Sequence, residues 1–227
     1  MTSSPACAPV DATVILLDLD GTVVESGPGI LAALDHAFAV TGEEYPGRER
    51  LAGFIGPPLI DAFQGELGMD AERAERMRLA YSEHYLAHGV HLSRPYPGMP
   101  ELIAALRGQG RVVAIATNKP ETTARRLLEH QGLADGLDLV AGTDRASGRS
   151  GKAAVIASAL ERLDGRADGG AVMVGDRLHD AHGAAEHGIP AVLVGWGYGG
   201  DAERSSGLPF ARTVADLAAM LGTDPVA

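Results

Sequence analysis

Five short apolar runs alternate with helix-like stretches through most of this 227-residue chain. The runs are VILLD (14–18), VVAIAT (112–117), LDLVAG (137–142), AVMVGD (171–176) and AVLVG (191–195). They are apolar almost without interruption, as parallel strands covered on both faces are. Helices are expected between them over 98–108, 120–131, 151–163, 180–187 and 213–221, with Gly132 and Gly188 placed where a helix stops. A β-α-β-α order of this kind predicts an open parallel sheet with right-handed crossovers.

Residues 25–93 interrupt that rhythm. They carry no strand-like run and read as helical throughout. Pro28 suits a helix start and Gly42 a helix end. Asp70 suits the cap of a long helix in which Met77, Tyr81 and Tyr85 recur at four-residue spacing, closing at Gly89. The segments ESGPG and SRPYPG flank this insert as hinges. The expectation is an α/β fold: a Rossmann-like parallel-sheet core over residues 1–24 and 94–227, with an inserted all-helical domain over 25–93.

Side chains i and i+2 of a strand point to one side, so Asp18 and Asp20 project into one space beyond the first strand. In open α/β sheets ligands bind at the carboxyl ends of strands. Other strand ends deliver Thr117-Asn118-Lys119-Pro120 and Gly175-Asp176, the latter followed by Asp180, while Lys152 opens a helix nearby. Four carboxylates cannot share a crevice unless a cation offsets their charge. Oxygen ligands select a hard ion, and Mg²⁺ is the expected one, with Asp18, Asp20, Asp176 and Asp180 as its candidate ligands. A hydroxyl, a lysine and a helix start beside it suit a phosphoryl group, with Thr117, Asn118 and Lys152 as the candidate binders.

Lysine usage supports this placement. Of 19 basic residues 17 are arginine, and the two lysines, Lys119 and Lys152, both fall beside these strand ends. An ammonium is a compact point charge and a guanidinium a wide fork, so the two are not interchangeable in a tight site. Lys119 is expected nearer the rim, and Arg149 rivals Lys152.

DLDGT at 18–22, Thr117, Lys152 and GDRLHD at 175–180 resemble, in order, the four motifs of the haloacid dehalogenase-like superfamily of phosphohydrolases. The helical insert resembles that superfamily's cap domain. The resemblance implies phosphoryl transfer through an aspartyl phosphate. Asp18 is then the nucleophile, and Asp20 the acid that protonates the leaving group and later activates water. Asp18, the Asp20 carbonyl and Asp176 hold Mg²⁺, with Asp180 as a ligand or close by. A second acid at Asp20 argues against dehalogenation. TNKP leans toward phosphoglycolate phosphatases, and GDRLHDAHGA toward 5′-nucleotidases; a phosphomutase keeps the same motifs. ES at 25–26, where DS is common, departs from the pattern outside the chemistry.

The remaining features narrow the partners. A net charge of −11 disfavours nucleic acid and anionic membrane surfaces. Cys7, alone in the chain, excludes an intrachain disulfide, and a reducing cytoplasm is the expected location. The N-terminal tail around it is expected to lack order. The expected partner is a small phosphorylated metabolite, handled by a monomer or homodimer. A non-catalytic phosphate-binding regulatory module is the contrasting expectation. His179 and His182 form H-x-x-H without a third soft ligand, so they read as polar helix positions rather than a zinc site. GWGYGG at 195–200 matches G-x-G-x-x-G but lacks a long helix behind it, so it reads as a loop at the site's rim, with Trp196 and Tyr198. In the insert, Phe54 or Phe63, or alternatively Arg48 and Arg50, are expected to face the substrate.

Overall fold

The computed structural model describes residues 11–223. The N-terminal tail with Cys7 lies outside them. The chain opens with β1 (Val14–Leu17), whose four side chains are fully buried. A short β2 (Val24–Glu25) leads into α1 (Gly27–Thr41), α2 (Arg48–Ala52), α3 (Leu59–Asp61) with a following π turn, and α4 (Ala71–Ala87). After a 3₁₀ turn, β3 (Arg94–Pro95) pairs antiparallel with β2. The rest alternates: α5 (Met99–Gly108), β4 (Val112–Pro120), α6 (Glu121–His130), β5 (Leu139–Thr143), α7 (Lys152–Arg162), β6 (Ala171–Gly175), α8 (Leu178–Ala185) and β7 (Ala191–Val194). Then come α9 (Asp201–Arg204), β8 (Phe210–Ala211) and α10 (Val214–Met220).

The six-stranded sheet runs β5-β4-β1-β6-β7-β8, every pair parallel. Strand alternation divides the core. Ile15, Leu17, Val113, Ile115, Val172 and Val174 face one layer, and Val14, Leu16, Val112, Ala114 and Met173 the other. The first layer continues without a break into the insert, through Leu34, Phe54, Phe63, Met77 and Tyr85. Truncating one of these buried side chains to alanine costs about 2–5 kcal/mol.

The insert is helical as expected. Pro28 stands in the first turn of α1, Gly42 ends it with φ 71°, and the Asp70 carboxylate accepts the Arg73 N–H at the start of α4. The two hinge segments are not plain linkers: they meet as the β2–β3 ribbon. Two boundaries also move. β4 runs on to Pro120 through a register shift after Ala116, and α8 begins at Leu178, which puts Asp180 inside its first turn. β1 lies between β4 and β6, so the ends of these three strands meet in one crevice below the insert. Among the described residues no helix is long and apolar enough to cross a membrane.

Candidate active site

Asp18 follows β1 directly and keeps its pairing, its N–H donating to the Val174 carbonyl at 2.8 Å. The chain then turns at Gly21, where φ is 85°. A Cβ there would lie 2.3 Å from Asp176 Oδ2, so only glycine allows both the turn and the close approach of β6's carboxylate.

Lys152, the first residue of α7, reaches under Asp18. Its Nζ lies 2.7 Å from Asp18 Oδ1, from Asp180 Oδ1 and from the Ala116 carbonyl. An ammonium carries three protons, and three acceptors converge on it here. Burial opposes its charge, but the carboxylates of Asp18 and Asp180 outweigh that and push it up to about 12. Burial also raises Asp18, against the pull of Lys152. Asp180 is fully buried, its Oδ2 accepting the Arg177 N–H at 3.1 Å.

Asp20 has different company. Lys119 Nζ lies 2.9 Å from its Oδ2, and the Ser26 hydroxyl donates to its Oδ1 at 2.5 Å. Ser26 immediately precedes α1, so the insert touches the second carboxylate directly. Lys119 is buried rather than at the rim, because Asp20 on one side and the Tyr85 ring at 4.4 Å on the other enclose it. Despite burial, Asp20 holds its ammonium well above the ordinary lysine value.

The Thr117 hydroxyl is buried within β4, just past the register shift, and accepts the Lys119 N–H at 3.2 Å. The Asn118 amide donates to Gly56 of the insert at 3.2 Å. Arg149 is not near Lys152's role: Glu121, the Gly142 carbonyl and the Ser158 hydroxyl take up its guanidinium.

Asp176 is fully buried. Its Oδ2 accepts the Tyr198 N–H at 2.6 Å, while its Oδ1 has no hydrogen-bond partner. Burial, then the charges of Asp18 and Asp180, hold its carboxyl well above the usual carboxylate range. An unpartnered carboxylate oxygen among like charges, in a donor set dominated by carboxylates, fits a hard divalent cation. Asp18, His179 and Asp180 also offer ligand atoms within 4.8 Å of one another. His179 thus joins the carboxylates, its Nε2 3.6 Å from Asp180 Oδ1, while His182 points to solvent. Burial lowers the affinity of His179 for a proton.

The GWGYGG segment is a loop, as expected, and it does more than line a rim. The Tyr198 hydroxyl accepts the N–H of Gly27 at 2.6 Å, and the Trp196 indole donates to the Thr22 carbonyl at 3.0 Å. Sequence places Tyr198 at the rim but does not reveal its bond to Gly27, and it carries no signal for the bond of Ser26 to Asp20, because these partners lie in separate segments. In the insert, Arg48 pairs with Asp35 and Arg50 donates to the Glu66 carbonyl, so neither faces the crevice. Phe54 does: it lines a 670 Å³ cavity with Tyr81 and Tyr85, over Asp20, Asn118 and Lys119.

The profile of the haloacid dehalogenase-like hydrolases matches residues 15–194. The chain is 37% identical over 224 residues to the tyrosine-protein kinase PtkA of Mycobacterium tuberculosis, covering 97% of this chain and 75% of that one. It is 35% identical over 206 residues to a 5′-nucleotidase of Pseudomonas aeruginosa (91% and 92% covered). To a phosphoglycolate phosphatase of Mesorhizobium japonicum it is 33% identical over 190 residues (82% and 83%). A predicted phosphatase from Clostridium acetobutylicum superposes with a TM-score of 0.84 at 30% identity, covering 91% of this chain and 96% of that one. The chain belongs to the haloacid dehalogenase-like hydrolase family.

Proposed function

We propose that the chain is a Mg²⁺-dependent phosphatase that hydrolyses a phosphomonoester through an aspartyl phosphate. The observation that carries this is the separation of two neighbouring carboxylates: Asp18 bound to Lys152 at 2.7 Å, and Asp20 to Lys119 at 2.9 Å. One carboxylate faces the crevice floor and the other the insert, which suits one nucleophile and one proton carrier.

In the first step an Asp18 oxygen attacks phosphorus and the bond to the leaving oxygen breaks. Asp20, held on the leaving-group side by Lys119 and Ser26, gives that oxygen its proton. In the second step Asp20 takes a proton from water, which attacks phosphorus and frees the Asp18 carboxylate together with inorganic phosphate. Thr117, Asn118, Lys152 and the backbone amides after β4 bind the phosphoryl oxygens. Asp18, the Asp20 carbonyl, Asp176 and Asp180 would hold Mg²⁺, which when bound offsets the charge gathered on the transferring group. Residues 25–93 act as a cap whose closure excludes water. The enzyme works in the cytoplasm on small phosphorylated metabolites, as a monomer or homodimer.

Release of inorganic phosphate from a panel of phosphomonoesters, with EDTA and with Mg²⁺ restored, tests the reading. A mutase would convert a sugar phosphate without releasing phosphate. ATP with a tyrosine-bearing polypeptide belongs in the panel, since the mycobacterial relative is named a kinase. Phosphate binding without turnover of any ester would favour a regulatory module instead.

A further inference from the structure

The cavity over Asp20 contains five cationic side chains: Arg78, Lys119, Arg125, Arg145 and Arg149. Each already has a carboxylate. Arg78 and Arg145 share Glu75 at 2.7 and 2.8 Å, Arg125 and Arg149 share Glu121 at 3.0 and 2.9 Å, and Lys119 holds Asp20 at 2.9 Å. The lining also carries Asp61 and Asp144, and Arg162 joins Arg125 and Arg149 on Glu121, so with Glu75 and Arg162 included six cations meet five carboxylates. A second anionic group beside the phosphate would therefore have to compete with these carboxylates for a partner. Lys119 is the cation nearest the site, and recruiting it would strip the proton carrier of its ion pair.

Size points the same way. At 670 Å³ the cavity falls within the range of about 300–1,000 Å³ typical of sites for drug-sized ligands. A two-carbon acid phosphate would leave most of it to water. Beside these ion pairs the walls carry aromatic and apolar side chains: Phe54, Ile30, Leu59 and the stacked pair Tyr81–Tyr85, whose rings lie 5.7 Å apart and 17° from parallel. Flat side chains of this kind bind rings through apolar area and stacking.

We propose that the preferred substrates are phosphate esters of bulky, ring-bearing alcohols with no second anionic group, nucleoside 5′-monophosphates being the class that fits. This rests on the phosphatase reading and selects among its substrates. Tyr81 is then a specificity-determining residue: it touches the ring and not the phosphorus.

The test is kcat/KM of the full chain with Mg²⁺ on uridine and adenosine 5′-monophosphates, p-nitrophenyl phosphate and 2-phosphoglycolate. The nucleotides are expected to exceed phosphoglycolate by about a hundredfold, the discrimination given by roughly 2.7 kcal/mol. Equal or better turnover of phosphoglycolate overturns the inference while leaving the phosphatase reading intact. Failure to release phosphate from any ester, p-nitrophenyl phosphate included, overturns both. Tyr81→Leu is expected to raise KM for the nucleotides about tenfold with little change in kcat, and Tyr81→Phe, which keeps the ring, to restore it. An unchanged KM in a folded Tyr81→Leu protein removes Tyr81 from the site.

Discussion

Lys119 Nζ lies between the Asp20 carboxylate, at 2.9 Å, and the face of the Tyr85 ring, 4.4 Å from its centre. Asp20 follows β1 and Tyr85 belongs to α4, so one ammonium joins the proposed proton carrier to the insert. A cation over an aromatic face gains about 2 kcal/mol or more when desolvated. The planar guanidinium of arginine cannot occupy the same small gap. Lys119→Arg is therefore expected to lower kcat on the order of a hundredfold, as misplacement by about 1 Å can. Tyr85→Phe, which keeps the ring, should stay near wild type. Normal kcat in folded Lys119→Arg would sink this account.

Asp18→Asn removes the nucleophile without changing shape. It is expected to abolish phosphate release while leaving the thermal midpoint within a few degrees. Lys152→Arg tests the other half of the site. Three oxygens converge on Nζ at 2.7 Å, a geometry an ammonium satisfies and a flat fork does not. A fall in kcat of about a hundredfold or more is expected; steady-state kinetics beside a melting curve separates lost chemistry from lost fold. Turnover by Asp18→Asn at the wild-type rate would refute the covalent route.

The sheet, its helices and the crevice were legible because they rest on local patterns. Continuous apolar runs mark two-faced burial, and i, i+2 spacing places Asp18 beside Asp20. The paired lysines were legible too, since a chain rich in arginine keeps lysine only at positions 119 and 152. What sequence could not show depends on contacts between distant segments. The sequence places Lys119 near the rim because nothing local reveals Tyr85 covering it. Tyr198 reaches Gly27 across 171 residues, and the β2–β3 ribbon is two residues long on each side, too short to leave a pattern. His179 reads from the sequence as a polar helix position for want of a third soft ligand, yet it sits with two hard carboxylates.

Glu43 gives the insert a pH dependence. It follows α1 and its carboxylate accepts hydrogen bonds from Arg73 on α4, with Arg76 at 3.9 Å. The Arg73 hydrogen bonds, against a smaller opposing effect of burial, hold Glu43 below the usual glutamate range. A carboxyl whose folded value is depressed contributes stability above its unfolded value of about 4.3, and loses it as pH falls through the folded value. Arg73 is 42% exposed, so solvent screening keeps the gain small. Glu43→Gln is expected to lower the thermal midpoint at pH 7, with the difference from wild type shrinking as pH falls below 4. A difference that persists undiminished at low pH would show that packing, not charge, holds α1 to α4 there.

The loop at 195–200 serves two neighbours through separate groups, and two substitutions separate them. The Tyr198 hydroxyl accepts the first N–H of α1, while the Tyr198 backbone N–H holds Asp176 Oδ2 at 2.6 Å. Tyr198→Phe removes the first bond and keeps the second. Losing a hydrogen bond from a partly buried N–H costs about 1–2 kcal/mol, so stability should fall while Mg²⁺ affinity changes little. Gly197 acts on the other side. A Cβ there would lie 2.3 Å from the Gly21 carbonyl and 2.4 Å from Asp176 Oδ2. Gly197→Ala must push Asp176 out of line, and disturbing the support of a metal ligand typically weakens binding about 10–100-fold. Titration of Mg²⁺ by calorimetry on both variants reads this directly. The expected result is a large loss for Gly197→Ala and a small one for Tyr198→Phe. Equal losses would mean that the position of α1 controls Asp176, and the division of labour within the loop would be wrong.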